Sequence, residues 1–388
     1  MKATAISNAG LLGRFLHIPI RPFLYSVYRD IKPPKRYDCG DFDDHLDAAI
    51  SWLEHAHDMS PDDGVCHSYS LKGGWRPSYV ETTGYIIETF YELAAREDVS
   101  AYADRAERMA RWLLGRQLAD GSFPNVELDS GSGLVFDTGQ DLFGLIRAYT
   151  ETRDAQFLEA ALKAGNWLTE ISDNDDRWTQ STYKNIPHVY NSRTAWALLE
   201  LHAVEANEAF ERVARANLDW AVSEQNPLGW FEQCAFEQRI APFTHTIAYA
   251  TRGLLESSRL LSEDRYLDSA VLAADAAISQ LHDDGFLPGQ IATDGTPDTN
   301  YCCLTGNCQF AIVWAKLFQN TGNASYRDAA TQAWTYVKRR QQMNSDDDNI
   351  HGGIAGSFPI WGRYHRLQYP NWAAKFFIDA ALLIKEIS

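Results

Sequence analysis

The sequence has few cysteines for its length and no long apolar run. It contains six cysteines in 388 residues, and their spacing does not match a disulfide framework. We interpret them as reduced thiols, which are typical of a cytoplasmic protein. A membrane-spanning helix needs about 20 consecutive apolar residues. No such stretch occurs, so the sequence predicts no transmembrane helix.

Basic residues are also scarce. Lys and Arg number 35 against 52 Asp and Glu, which gives a formal net charge of −17. Nucleic acid is therefore not an expected partner, because binding to phosphates requires a basic surface. No phosphate-cradling Gly loop or dinucleotide fingerprint is present, and we expect no cofactor.

The first forty residues differ from the rest of the chain. Residues 1–36 contain seven basic residues against one acid, a net charge of +6, with apolar residues interleaved. Pro19 and Pro22 interrupt the apolar stretch, so a secretory signal is not predicted. We treat residues 1–40 as a basic amphipathic arm. It could lie on the inner face of a membrane, dock on a polysaccharide-assembly partner, or simply pack across outer helices.

A two-helix pattern recurs six times after residue 40 and decides the fold class. Thr83-Gly84 and Thr138-Gly139 lie 55 positions apart, and later copies follow near His245, Thr305 and Asn371. Each copy follows a more polar helical stretch that usually contains a Trp. Six outer–inner pairs bring the last unit back beside the first. The sequence therefore predicts an all-α (α/α)6 toroid over residues 41–388, with an open helical array as the alternative.

The connections between these helices are strongly asymmetric. Inner-to-outer connections are short, whereas the outer-to-inner connections are long: 67–79, 120–136, 173–189, 226–243, 283–301 and 344–369. In a closed ring the long loops share one face, where we predict the functional mouth. The inner helices point their N-termini toward that mouth, and free N–H groups there suit carboxylates or sugar hydroxyls. Helix capping is the alternative role for the polar residues at these N-termini.

Aromatic residues are frequent in the long loops. Aromatic faces can stack against sugar rings, although long loops also use them for ordinary packing. Trp75, Trp230 and Trp361 each lie beside a Gly, where little else shields the ring. We therefore select these three as sugar-binding platforms.

Several motifs resemble known toroid proteins. Gln117–Phe123 resembles the Gln-x-x-Asp-Gly-Ser-Trp/Phe repeat of the squalene-cyclase and prenyltransferase toroids. The runs 135–140, 244–249, 303–307 and 369–375 are similar to toroid proteins of bacterial polysaccharide loci. The resemblance covers nearly the whole chain after residue 40 and implies a toroid linked to exopolysaccharide biosynthesis. Such toroids include polysaccharide lyases, glycoside hydrolases and sugar epimerases.

The sharpest polar cluster lies where the third and fourth inner helices begin. Elimination beside a uronate requires a neutralised carboxylate, removal of the C5 proton and protonation of the leaving oxygen. Asn191 and Arg193 are candidates for holding the carboxylate. The candidate bases are His245 and His188, and the candidate acids are Tyr190 and Tyr249. A C5-epimerase needs almost the same groups, and a purely structural His–Tyr lining is the alternative.

Hydrolysis instead requires two carboxyl groups across the bond. The candidates are Glu81, Asp137, Glu232, Glu237 and Asp298. Asp137 suits the base, because a helix N-terminus favours its ionised form. We also expect Glu81, Glu232 and Asn371 to bind substrate.

Together these residues predict a carbohydrate-active enzyme on an acidic bacterial polysaccharide or its oligosaccharides. A lyase or C5-epimerase is the first hypothesis, and a glycoside hydrolase is the second. A non-catalytic glycan-binding scaffold is the alternative outside enzymes. Asp298 with Cys302, Cys303 and Cys308 lacks the spacing of a zinc site, so no metal is predicted.

Overall fold

The computed structural model describes residues 20–31, 40–97, 99–125 and 131–388. Helix α1 (Ile20–Ile31) precedes a ring of twelve helices. The outer helices are α2 (Phe42–Asp58), α4 (Ser100–Leu114), α6 (Ala155–Glu170), α8 (Glu208–Ser223), α10 (Asp264–Ile278) and α12 (Ala324–Lys338). The inner helices are α3 (Val80–Glu97), α5 (Val135–Thr152), α7 (Ser192–Val204), α9 (Thr244–Leu261), α11 (Leu304–Thr321) and α13 (Asn371–Ile387).

The ring is closed. Each inner helix packs against the next, and α13 packs against α11 on one side and against α2 and α3 on the other. This closure excludes an open helical array. The inner helices are buried on almost every side, whereas the outer helices keep a polar face in solvent.

The first and last long loops lie on the same face of the ring. Strand β1 (Ser68–Ser70) pairs antiparallel with β2 (Gly74–Trp75) and with β7 (Gln368–Pro370), so that Tyr69 lies opposite Tyr369. The shared face that the loop lengths predict is therefore present.

Shorter elements hold the remaining long loops. Strand β3 (Gln290–Ile291) pairs with β4 (Pro297–Asp298), and β5 (Cys302–Cys303) pairs with β6 (Ser357–Phe358). Two 3-10 turns, Tyr183–Asn185 and Val189–Asn191, lead into α7.

The repeated Thr-Gly pair serves helix packing. The Thr138 hydroxyl accepts a hydrogen bond from the Phe123 backbone N–H at 3.0 Å, which ties the preceding loop to the first turn of α5. A Cβ on Gly139 would lie 2.5 Å from Oγ1 of Thr194 on α7. The glycine therefore allows neighbouring inner helices to approach closely, and the motif needs no catalytic explanation.

The described part of the N-terminal arm packs on the last long loop. The hydroxyls of Ser26 and Tyr369 lie 2.8 Å apart, and Arg29 Nη1 donates to the Gln341 carbonyl at 3.0 Å. The Ile360 N–H donates to Asp30 Oδ2 at 2.7 Å. Residues 1–19 and 32–39 of the arm lie outside the described residues. In the described part of the chain, no helix is both long and apolar enough to cross a bilayer.

Candidate active site

A cavity of about 240 Å³ opens at the long-loop end of the ring. The first turns of α3, α5, α9 and α13 line it together with the long loops. Its lining is largely aromatic, with carboxylate, amide and imidazole groups between the rings. The lining residues are Tyr79, Glu81, Tyr85, Asn125, Leu134, Phe136, Asp137, Tyr183, Tyr190, Phe236, His245, Thr246, Tyr249, Tyr364, His365 and Trp372.

Two carboxyl groups in the cavity are joined by a hydrogen-bonded bridge. The Tyr79 hydroxyl donates to Glu81 Oε2 at 2.7 Å. The Asn125 amide donates to Asp137 at 2.9 Å to Oδ2 and 3.2 Å to Oδ1, and its nitrogen also lies 3.2 Å from the Tyr79 oxygen. Glu81 is half-buried and Asp137 is buried. The bridge fixes both carboxyl groups on one wall of the cavity.

The cavity lining also contains two imidazoles. His245 is buried with its ring centroid 4.3 Å from that of Tyr364, whose hydroxyl accepts a hydrogen bond from the Trp372 indole at 2.8 Å. His365 packs edge-on against Tyr364 at 4.7 Å and Trp372 at 4.6 Å. Burial, together with the nearby His365, holds the pKa of His245 well below its usual value. His245 is therefore neutral at ordinary pH.

Tyrosines form the floor of the cavity. Burial raises the pKa of Tyr85, Tyr190 and Tyr249 well above the usual phenol value, so all three carry their protons. Beneath the floor, the Arg193 guanidinium carbon lies 5.2 Å from the centre of the Tyr249 ring and 5.9 Å from that of Tyr85. Its Nε donates to Gln140 Oε1 at 2.5 Å, while both Nη atoms have no hydrogen-bond partner among the described residues. A positive charge therefore lies just behind the floor.

The structure brings together five of the residues selected from the sequence. Glu81, Asp137, Tyr190, His245 and Tyr249 all line the cavity. Their roles in a reaction remain predictions.

Other residues of the predicted cluster do not reach the cavity. The ring nitrogens of His188 lie 3.0 Å from the Ala235 carbonyl and 2.8 Å from the Tyr183 carbonyl. Its ring stacks on Tyr190 at 4.6 Å, so His188 positions that tyrosine and has no nitrogen directed at substrate. Arg193 lies below the floor, which removes it as a direct ligand of a substrate carboxylate.

The two selected asparagines are also outside the cavity lining. Asn191 ends the 3-10 turn before α7 and is buried. The Asn371 amide donates to the Cys66 carbonyl at 3.0 Å and to Thr82 Oγ1 at 2.8 Å, which fastens α13 to the first hairpin. Its role is structural.

The selected sugar platforms are elsewhere. The Trp75 indole donates to Asn349 Oδ1 at 2.7 Å and its ring packs 5.3 Å from Tyr69, while Trp230 is buried. Trp361 is exposed on the surface. Glu232 lines a separate depression between residues 231 and 242. The tryptophans beside glycines therefore pack their loops or face solvent, and none of the three lines this cavity.

Sequence reasoning did not select several residues that the structure places in the cavity. Tyr79, Asn125, Tyr364, His365 and Trp372 all belong to this group. His365 lies in the last long loop, six positions before α13, whereas the sequence search concentrated on helix N-termini. A search of each long loop for polar residues beside aromatic ones would have found Tyr364-His365.

The cysteines near residue 303 are buried and contact neighbouring polar side chains. Cys302 Sγ donates to Asn307 Oδ1 at 3.0 Å, and Cys303 Sγ lies 3.9 Å from His245 Nδ1. Among the described residues, no three His, Cys, Asp or Glu side chains are grouped so as to hold a metal ion. The five described cysteines are buried and form no disulfide. The cytoplasmic location that the cysteines indicate stays a prediction.

Comparisons with known proteins concern the fold. No family model and no curated protein sequence matches this chain. A solved unsaturated glucuronyl hydrolase specific for heparin matches with a TM-score of 0.73 at 13% identity, covering 89% of this chain and 97% of the other. An unsaturated glucuronyl hydrolase from Bacillus sp. GL1 matches with a TM-score of 0.70 at 14% identity, over 88% and 96%.

A cellobiose 2-epimerase from Bacillus thermoamylovorans also matches, with a TM-score of 0.67 at 11% identity, covering 93% of this chain and 99% of the other. These neighbours are (α/α)6 toroids. At such low identities the likeness establishes the fold alone, and the toroid predicted from the sequence is confirmed.

Proposed function

We propose that this protein is a carbohydrate-active hydrolase that removes a terminal sugar from a uronate-containing oligosaccharide. The carboxyl pair Glu81 and Asp137 carries the proposal, because both groups line one cavity and are fixed by the Tyr79–Asn125 bridge. Hydrolysis needs such a pair, one group to protonate the leaving oxygen and one to activate water.

The two carboxyl groups have different surroundings, which supports different roles. Both oxygens of Asp137 accept hydrogen bonds from the Asn125 amide, an arrangement suited to a carboxylate that takes a proton from water. Glu81 is half-buried beside it and supplies the proton for the leaving oxygen. Water adds across the glycosidic bond, so one proton passes to Asp137 and one leaves Glu81.

The surroundings also suit an anionic sugar, although no Lys or Arg is among the described lining residues. Four inner helices direct their N-terminal turns at the cavity, where the helix dipoles favour a carboxylate. Arg193 adds a positive charge behind the floor. Two of the structural neighbours are unsaturated glucuronyl hydrolases, which agrees with a uronate substrate.

A second candidate is proton transfer at a sugar carbon, as in a C5-epimerase or a lyase. The observation that favours it is the imidazole pair, since His245 and His365 both line the cavity and His245 is neutral. One imidazole would remove the proton, and the other or Tyr249 would supply one. The cellobiose 2-epimerase among the structural neighbours is consistent with this chemistry.

Product analysis separates these reactions. The chain is incubated with an unsaturated uronyl disaccharide and, separately, with a saturated polyuronate in deuterated water. Hydrolysis of the disaccharide removes its ultraviolet absorbance, because the released enol rearranges to a ketone. Elimination from the polymer creates ultraviolet absorbance. Epimerisation places deuterium at C5 and leaves the absorbance unchanged. Absence of any product, with binding retained, supports the glycan-binding scaffold.

Substitution of single residues tests which side chains carry out the reaction. We expect Glu81→Gln and Asp137→Asn each to lower kcat by about 10²–10⁴-fold, the usual contribution of a positioned acid or base. Glu232→Gln is the matched control, because this carboxylate lies outside the cavity, and it should retain activity. Loss of activity in His245→Gln, with normal activity in both carboxyl variants, would replace hydrolysis by proton transfer at carbon.

A further inference from the structure

Helix α1 exposes large apolar side chains along one face. Ile20, Leu24, Tyr28 and Ile31 are 61%, 60%, 63% and 61% exposed. Their spacing of four, four and three residues places them in one row along the helix, which we call the α1 stripe. Large hydrophobic side chains at this exposure are unusual when they are contiguous, and contiguous apolar patches mark interaction surfaces.

The α1 stripe is exposed because α1 contacts the ring through its opposite face. The opposite face of α1 is fixed to the last long loop by Ser26, Arg29 and Asp30, through the contacts to Tyr369, Gln341 and Ile360. The helix is therefore already seated on the ring by polar contacts, with its apolar row directed away. Elsewhere in the described chain, the exposed large hydrophobics do not form a row on one helix; they are Met59, Val99, Val204, Leu228, Ile240, Leu272 and Trp361.

A partly exposed tryptophan follows the residue of the last long loop that Asp30 of α1 contacts. Ile360, which donates to Asp30, precedes Trp361, and Trp361 is 39% exposed. Arg21 on α1 and Arg363, two residues after Trp361, are also exposed. A row of aliphatic side chains with a Trp and flanking arginines is the composition that settles at a lipid–water interface.

We propose that the α1 stripe, together with Trp361, docks on the surface of an anionic lipid bilayer. Residues 1–36 carry a net charge of +6, which leaves −23 on the rest of the chain. An anionic surface attracts this segment of the sequence and repels the remainder of the chain. Two copies meeting stripe to stripe would bring two +6 segments together, which opposes a dimer at this surface.

Docking has a consequence for the cavity. The last long loop that holds α1 also supplies Tyr364 and His365 to the cavity lining. A bilayer bound at the stripe therefore lies on the mouth side of the ring and brings the cavity close to glycans assembled at a membrane. The docking itself does not depend on the proposed reaction.

Vesicle sedimentation tests the docking without any substrate. The full chain is mixed at low ionic strength with vesicles of phosphatidylcholine alone or with added phosphatidylglycerol. We expect sedimentation with the anionic vesicles, release by high salt, and little binding to phosphatidylcholine alone. Leu24→Gln combined with Ile31→Gln should weaken the partition about tenfold or more, because two anchoring side chains are lost.

A control variant places glutamine at two other exposed apolar positions. Leu228→Gln with Leu272→Gln changes side chains that are 59% and 41% exposed on other hairpins, and it should sediment as the unchanged chain does. Equal binding of the stripe variant and the unchanged chain overturns the proposal, as does equal binding to both vesicle types or to neither. A lipid-independent dimer that the stripe variant abolishes overturns it in favour of a second copy.

Discussion

A single buried carboxyl group links α1 to the loop that contributes to the cavity. Asp30 accepts the Ile360 N–H, and burial raises its pKa from 3.8 to about 6 even though Arg29 and this hydrogen bond act in the opposite direction. The folded state therefore binds the proton more tightly than the unfolded chain. The contribution of Asp30 to the free energy of unfolding is therefore fully present below the pKa of the unfolded chain. It is lost as the pH rises from about 4 to about 6.

This linkage predicts that α1 is held more firmly in mild acid than at pH 7. A shift of this size corresponds to a ceiling of about 3 kcal/mol. Asp30→Asn keeps an acceptor for Ile360 without the charge, so we expect greater protection of α1 at pH 7 and little difference at low pH. Hydrogen exchange of the α1 amides, corrected for intrinsic rates, measures this. If the α1 amides exchange faster in Asp30→Asn than in the unchanged chain at pH 7, the ionised Asp30 does not destabilise α1 and the prediction is wrong.

At the scale of elements, the motif that resembles the cyclase toroids connects a long loop to an outer helix by hydrogen bonds. The Gln117 side chain donates to the Gly121 carbonyl at 2.9 Å and to the Ala160 carbonyl on α6 at 2.8 Å. Gln225 repeats the arrangement, donating to Gly229 and to Ser269 on α10. The motif therefore ties the start of a long loop to the next outer helix.

Removal of the Gln117 hydrogen bonds should lower the stability of the fold and leave catalysis unchanged. Gln117→Ala leaves two carbonyls without their donor, which we expect to lower the free energy of unfolding by about 1–3 kcal/mol. Gln156→Ala, an exposed glutamine on α6, is the matched control and should change it by less than about 0.5 kcal/mol. Urea denaturation gives the stability, and kcat and KM should be unaltered. A large fall in kcat in folded Gln117→Ala would show that the motif reaches the site.

The elements also show how far sequence reasoning extends. The repeat period placed the inner helix starts within a few residues, and Glu81, Asp137 and His245 do face the cavity from the first turns of α3, α5 and α9. Arg193 occupies a similar position in α7, yet it is buried below the floor. The turn Val189–Asn191 extends α7 toward the mouth, so that Tyr190 reaches the cavity and Arg193 lies deeper.

The loops set the limit of prediction. Periodicity identifies helices because their side chains repeat every 3.6 residues, whereas a long loop has no such period. His365 reaches the cavity only because the last loop folds back over the ring, and Asn125 only because its own loop does so. Long-range pairing such as Tyr69 with Tyr369 fixes these paths, and such pairing is not encoded in local sequence.

At the scale of the whole molecule, the ring is open at one end. Below the tyrosine floor, Arg193 and Lys375 are buried, and Lys375 pairs with Asp379. Further down, Lys316 Nζ lies 2.9 Å from Glu256, which also faces Arg252. The described inner helices therefore enclose charged pairs beneath the cavity, and a glycan has no passage through the centre.

A blind cavity of about 240 Å³ predicts action at a chain end. This volume lies near the lower limit of small-molecule sites, about 300 Å³, and leaves no room for a polymer to cross with sugars on both sides. Only a terminal sugar can reach Glu81 and Asp137, because a mid-chain sugar would have to enter with both neighbours attached.

We therefore expect release of single sugars, a slow fall in the viscosity of a long substrate, and preference for short oligosaccharides at equal mass. Viscometry with chromatography of the products measures all three. A rapid loss of viscosity with products of intermediate length would contradict end-on binding and favour mid-chain cleavage.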